Sequence, residues 1–339
     1  MQHLQECVQS LFAQQTVNNL IIRVGVGNRV LFDLKRSSEE RVLTDRTLFD
    51  AASTTKILAT TSLAMIAIDR ALLCIKDPVS KFFSVPDDKK ELTVWHLLTH
   101  TMGIGHKTVY GEGITYDNVA AHILSIPSDV SIGTEVLYSC PGFILLGKIL
   151  ERVFGERLDT LFLKLVAEPL GMESACFLPN RKLDIVNANA QASAVGAVND
   201  NNCRNLGGVC GNAGLFVDLA DMTRYVGMLQ AHGAPLFSGE LFSKAAQDHT
   251  PGMSQARGLG YLYVDERYTQ TGGLFPRGSI GHCGHTGQSV FVDPNSGFYV
   301  IILSDATASV MKKYGKSKYE EVMQMRQKIH AAIGEDLKK

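Results

Sequence analysis

Strand signals in this chain lie near its two ends, with a mainly helical stretch between them. Residues 20–26 and 29–33 are aliphatic and β-branched and flank Gly27-Asn28, a hairpin signal. Residues 288–292 and 298–303 flank Pro294-Asn295-Ser296-Gly297, a second one. If both hairpins belong to one sheet, distant parts of the chain complete it and the helical middle is an insertion. This predicts an α+β chain in a single domain. Residues 1–56 and 255–339 make a sheet subdomain, residues 57–254 make a mainly helical one, and helices over 4–14 and 316–333 flank the sheet. At 339 residues the chain is long enough for a large core, and it shows no repeat, low-complexity tract or long linker.

Within the middle, residues 57–68 carry no charge and read as a buried helix, and residues 144–153 repeat apolar side chains at helical spacing. Thr93 suits an N-cap for a short helix over Val94, Leu97 and Leu98, with Gly103 as a stop. Residues 157–165 continue helically, and Asp218 suits the cap of a helix with Met222, Tyr225, Val226 and Leu229 on one face. Residues 207–216 hold too much glycine for a helix and lack the Gly-Lys-Ser/Thr ending of a phosphate loop, so they read as a tight loop that lets backbones approach closely.

The chemistry is expected at Ser53-Thr54-Thr55-Lys56, which opens the uncharged stretch. A serine hydroxyl needs a group that takes its proton as it attacks. An amine three residues on along a helix shares its face. Burial there favours the neutral amine, and the helix N-terminus favours negative charge developing near Ser53. Tyr138 stands in a turn before the helix at 144–153, where a phenol either projects into a cleft or packs its ring on that helix.

Composition removes several alternatives. A net charge of −1 without any Lys/Arg-rich run leaves no footprint for nucleic acid or an anionic membrane. No apolar run reaches the length of a membrane span, and the first residues show no export signal. Seven scattered cysteines without a Cys-x-x-Cys pair fit free thiols, so a cytoplasmic location is expected. His96 and His100 have zinc spacing, but Leu97 stands where a metalloprotease has its glutamate; the two read better as a helix cap and a loop tie. His282-Cys283-Gly284-His285 also holds ligand types, but alternate strand residues face opposite sides and no fourth ligand is evident. Neither a metal nor another cofactor is expected.

Taken in order, Ser53-Thr54-Thr55-Lys56, Tyr138-Ser139-Cys140 and His285-Thr286-Gly287 resemble the three motifs of the serine β-lactamase and penicillin-binding-protein superfamily. Residues 97–103 and 213–216 resemble further stretches of its class C-like branch of carboxylesterases, D-aminopeptidases and D,D-peptidases. The resemblance implies a β-lactamase/transpeptidase-like fold with an antiparallel sheet. It also implies an acyl-enzyme on Ser53, with Lys56 and Tyr138 sharing the acid and base work; which of the two is the base stays open. It places the oxyanion hole at the Ser53 and Gln288 backbone N–H groups, and substrate contacts at Cys140, His285, Thr286 and Gly287. Two departures point toward small esters. His285 replaces the usual lysine and anchors a carboxylate less firmly, and Cys140 replaces an asparagine whose amide both donates and accepts. A β-lactamase, a D-Ala-D-Ala carboxypeptidase or D-aminopeptidase, and a non-catalytic binding protein remain alternatives, and the oligomeric state is open.

Overall fold

The structure, a computed structural model, describes residues 1–189, 195–268 and 270–338. Its strands are β1 (Asn19–Val26), β2 (Arg29–Ser37), β3 (Phe49–Asp50), β4 (Cys176–Phe177), β5 (Leu215–Val217), β6 (Leu262–Tyr263), β7 (Ile280–Cys283), β8 (Ser289–Val292) and β9 (Phe298–Ser304). The helices that bear on the site are α1 (Gln2–Ala13), α2 (Ser62–Asp69), α3 (Val94–Leu98), α4 (Cys140–Phe154), α5 (Leu219–Gln230) and α6 (Tyr319–Leu337).

The larger sheet runs β2-β1-β9-β8-β7-β6, with every pairing antiparallel. Its two hairpins meet where β1 pairs with β9, Leu20 opposite Ser304 and Val26 opposite Phe298. The buried Asp305 carboxylate holds this seam, accepting from the Asn18 and Asn19 N–H groups at 3.0 Å and from Asn19 Nδ2 at 2.8 Å.

Alternation along the seam strands sorts side chains into two cores. Leu20, Ile22 and Val24 of β1 and Val300 and Ile302 of β9 face the terminal helices, meeting Leu4, Val8 and Leu11 of α1 and Val322, Met325, Ile329 and Ile333 of α6. Ile21, Tyr299, Ile301 and Leu303 point the other way and join the core of the helical middle. At about 1.5–3 kcal/mol for each large aliphatic side chain fully buried, neither face is stable uncovered. The result is a three-layer arrangement, helices on both faces of an antiparallel sheet.

Two local features differ from the sequence reading. The stretch after Ser53 is not a uniform α-helix: a tight turn over Ala52–Thr54 passes into wide π turns over Lys56–Thr61 before α2 begins. Side chains occupy the carbonyls there. Ser62 Oγ and Tyr225 Oη both donate to the Ile57 carbonyl, at 3.0 and 2.8 Å, and Thr60 Oγ1 donates to Gly211 O at 2.7 Å. The second feature is a small sheet, β3-β5-β4, whose strands are too short to show a period in sequence. The glycine loop does allow close approach, since a Cβ on Gly211 would lie 2.1 Å from the Phe143 carbonyl. Asp218 caps α5 as expected, accepting from the Asp221 N–H.

Candidate active site

Ser53 is presented by a sharp turn at the end of β3. The Asp50 carboxylate accepts from the Ala52 N–H at 2.8 Å and from the Asn199 N–H at 2.7 Å. Between them Ala52 adopts φ +46°, a left-handed conformation that costs a residue with a Cβ roughly 1–2 kcal/mol. Burial pushes the Asp50 carboxyl up to about 6, against these hydrogen bonds. The Asp50 carbonyl is held from the other side, by Thr286 Oγ1 at 3.0 Å and Gln288 Nε2 at 2.7 Å.

Two groups converge on the Ser53 hydroxyl. Tyr138 Oη donates to Ser53 Oγ at 2.7 Å, and Lys56 Nζ lies 3.1 Å from the same atom. Lys56 is wholly buried and also donates to the Asn212 carbonyl at 3.0 Å. Tyr138 projects because the chain turns at Ser139, the N-cap of α4, whose side chain accepts from the Gly142 N–H. Its ring leans on His100, with centroids 4.7 Å apart, and lies 4.9 Å from Lys56 Nζ. Burial, reinforced by Cys140, raises the phenol pKa well above its ordinary value; the Ser53 hydrogen bond and Arg257 oppose this without reversing it. Tyr138 is therefore a neutral hydrogen-bond donor in the resting site.

Cys140 lies at the start of α4 with its sulfur 3.5 Å from Lys56 Nζ. Burial opposes ionisation of the thiol, but Lys56 and His106 together outweigh it and leave its pKa below the usual value. The side chain holds the amine as well as bordering the cleft.

The third motif requires a correction. Of its expected contacts only His285 lines the cleft, its ring stacked on Tyr319 at 4.6 Å. Thr286 and Gln288 are wholly buried behind it, on the Asp50 carbonyl, and Gln288 also bonds both the Ser304 N–H and the Ser304 carbonyl. Gly287, at φ +110°, packs against Ser304 and Ala306. None of these three lines the cleft, and neither does the Gln288 N–H proposed for the oxyanion hole.

The sequence contains two overlapping His-x-Gly triplets, and the first, His282-Cys283-Gly284, is the one carried to Ser53 by strand β7. The His282 ring lies 6.2 Å from the Tyr138 ring, with Nε2 buried and without a partner among the described residues. Burial holds the imidazole well below its usual pKa, and the nearby Lys56 and Arg257 charges add to that. Gly284 lets the strand lie against the nucleophile turn, because a Cβ there would come 2.8 Å from the Ala51 carbonyl. The next amide, that of cleft-lining His285, makes no hydrogen bond to any described residue.

His96 and His100 serve the backbone, as their sequence reading suggests. His96 closes a capping box with Thr93. His100 Nδ1 accepts from the Ser139 N–H at 3.0 Å, which ties its loop to the Tyr138 turn. Asp50 and Asn212 were not singled out in the sequence, since each acts through a tertiary contact, and His282 was weighed there only as a metal ligand.

These side chains lie in a cleft of about 760 Å³ between the edge of the large sheet and the helical middle, bordered by Ser53, His106, Tyr138, Arg257, His285 and Tyr319. A hydroxyl in contact with an amine and a phenol, at the base of such a cleft, is an arrangement able to support serine acyl transfer.

Comparison with known proteins agrees. The beta-lactamase family matches residues 4–319, and the chain belongs to that family of serine hydrolases. An Escherichia coli K12 protein provisionally named D-alanyl-D-alanine carboxypeptidase is 27% identical over 85% of this chain and 76% of its own length. Esterase EstB of Burkholderia gladioli is 31% identical over 41% of this chain and 40% of its own. The solved structure of EstCE1, described as a hydrolase with promiscuous acyltransferase activity, superposes with a TM-score of 0.76 at 19% identity, covering 97% of this chain and 98% of that one.

Proposed function

We propose that this chain hydrolyses small esters through a covalent acyl-enzyme on Ser53. The carrying observation is the joint contact of Tyr138 Oη and Lys56 Nζ with Ser53 Oγ at the base of the cleft. Ser53 Oγ attacks the ester carbonyl as Lys56, the other group within reach, takes its proton, a step that requires the amine in its deprotonated form. The oxyanion forms against the Ser53 and His285 backbone N–H groups, each contributing roughly 2.7–4 kcal/mol to the transition state. Neutral Tyr138 gives its proton to the departing alkoxide, and Lys56 returns one to the phenol. Water then cleaves the acyl-serine by the reverse relay.

Esters are placed ahead of amides and β-lactams for two reasons. The imidazoles of the third-motif region, His282 and His285, are both held below their usual pKa by burial and are neutral where a lysine would be charged. Cys140 cannot hydrogen-bond an amide as asparagine does. EstB, an esterase by name, supports this choice. A cytoplasmic location is supported by seven unpaired cysteines. No described helix is long and apolar enough to cross a membrane.

A fluorophosphonate probe tests the proposal. Wild-type protein is labelled at Ser53 and turns over p-nitrophenyl esters, whereas Ser53→Ala does neither. Folded wild type that stays unlabelled and inert rules the mechanism out. Faster turnover of a chromogenic cephalosporin than of any ester, or release of D-alanine, replaces the ester reading with the lactamase or peptidase one.

A further inference from the structure

The amine that serves Ser53 has a second reactive neighbour. Lys56 Nζ meets Ser53 Oγ at 3.1 Å, the Asn212 carbonyl at 3.0 Å and Cys140 Sγ at 3.5 Å. These partners match the free positions of a tetrahedral nitrogen, to which a neutral amine brings two N–H bonds and one lone pair. The carbonyl only accepts, so it takes an N–H. The lone pair is left to face Ser53 or Cys140, and it cannot serve both at once. Toward Ser53 it is a base; toward sulfur it is a nucleophile.

Cys140 is placed to become the electrophile of that pair. Its side chain is buried against Lys56 yet borders the cleft, as does His106. Burial and the Asp200 carboxylate oppose ionisation of the thiol, but Lys56 and His106 outweigh them, and the thiolate is the form that peroxides oxidise. The other thiols are set differently. Burial raises Cys7, Cys176 and Cys203, and Cys74 is exposed and outside the cleft. Cys283 borders the cleft, but its sulfur meets hydroxyls, Tyr268 at 3.2 Å and Ser289 at 3.9 Å.

We propose that Cys140 and Lys56 are a peroxide-sensitive modification site, at which the touching thiol and amine join through a sulfur–nitrogen bond and switch the hydrolase off. The Cys140 thiolate attacks one oxygen of hydrogen peroxide. The O–O bond breaks, sulfur is oxidised to a sulfenic acid, and the other oxygen leaves as hydroxide, which takes a proton from His106 to become water. The Lys56 lone pair then attacks the sulfenic sulfur. An S–N bond forms, the S–O bond breaks, and the departing hydroxide takes the proton that the nitrogen sheds, giving a second water. The protein has lost two hydrogens and the peroxide has been reduced to water. The flexible stem of Lys56 is what brings nitrogen onto sulfur. Bonded there, the nitrogen no longer takes the Ser53 proton. An external thiol reverses the change: the first attacks sulfur and frees the amine, and the second releases Cys140 from the mixed disulfide.

The crosslink stands on the contact itself, and only its effect on turnover rests on the esterase reading, so the test reads the two separately. Wild-type protein is titrated with hydrogen peroxide and followed by intact mass, peptide mapping and turnover of p-nitrophenyl butyrate. The expected product weighs about 2 Da less than the untreated chain and yields a peptide pair linked through Lys56 and Cys140. Its turnover and its fluorophosphonate labelling fall by about tenfold or more and return with dithiothreitol. Cys74→Ser loses activity to peroxide as wild type does, whereas Cys140→Ser, compared with its own untreated activity, resists. Mapping of wild type decides the matter even if that variant does not fold. The proposal is overturned by a gain of about 16 or 32 Da at Cys140 with Lys56 unmodified, or by a disulfide from Cys140 to another cysteine. Inactivation that follows oxidation of Cys283 overturns it too, as does Cys140 left untouched by peroxide that oxidises exposed Cys74. Failure of the esterase reading shows differently: the untreated protein is neither labelled nor active, yet the linked pair still forms.

Discussion

Tyr138 carries the most specific chemistry of any single residue in the site. Held neutral by burial and hydrogen-bonded to Ser53 Oγ at 2.7 Å, it is assigned the role of proton donor to the leaving group. Tyr138→Phe should therefore slow hydrolysis of an ethyl ester by ~10²-fold or more and that of a p-nitrophenyl ester much less, because nitrophenolate departs without a proton. Equal losses for both would reassign the phenol. Asp50 makes a prediction about stability. Its folded pKa, about 6, lies above that of an exposed carboxyl, so the native state holds the extra proton between roughly pH 4 and 6. The stability this group contributes is present at pH 4 and is lost as the pH rises through 6. Urea melts of wild type and Asp50→Asn should show the difference between them shrinking by about 2–3 kcal/mol from pH 4 to pH 8, in disfavour of wild type.

Among the elements, the β7–β8 hairpin does the most positioning, and it shows where sequence was sufficient and where it was not. The Ser-x-x-Lys spacing was readable because it depends on local geometry, whereas for Tyr138 local geometry left cleft and helix packing open and only the resemblance to the family motifs gave it a role. The choice between two His-x-Gly triplets three residues apart was not readable, because it depends on where β7 ends. That end is set by Gly284 passing the Ala51 carbonyl and by Thr286 and Gln288 gripping Asp50. The wide turns after Ser53 were hidden for the same reason, since Tyr225, which helps hold them, lies 168 residues from Ile57. Gly284→Ala and Gln288→Ala separate the hairpin's two tasks. The first should reduce kcat/KM by ~10²-fold with little loss of stability, by pushing the strand off the nucleophile turn. The second strips the Ser304 N–H of its acceptor and should cost about 1–3 kcal/mol in urea denaturation.

For the whole molecule, the antiparallel sheet and inserted helical middle follow from strand signals near both ends, while the extent of the two cores emerges only from alternation along β1 and β9. We treat residues 1–56 with 255–339, and residues 57–254, as two subdomains that share one core across the inner sheet face. That sharing predicts a single unfolding transition. Fluorescence of Trp95, in the helical middle, and far-UV circular dichroism should change together in denaturant, and a lag between them would mean the subdomains separate.

The seam between β1 and β9 also orders events during synthesis. A chain leaving the ribosome exposes Ser53, Lys56 and Tyr138 long before residues 284–304 have been translated, so the nucleophile turn has neither its grip on Asp50 nor its sheet neighbour. Until that hairpin docks, the nucleophile turn lacks these supports, and the nascent polypeptide becomes competent for the proposed acylation only once residues 284–304 have been made.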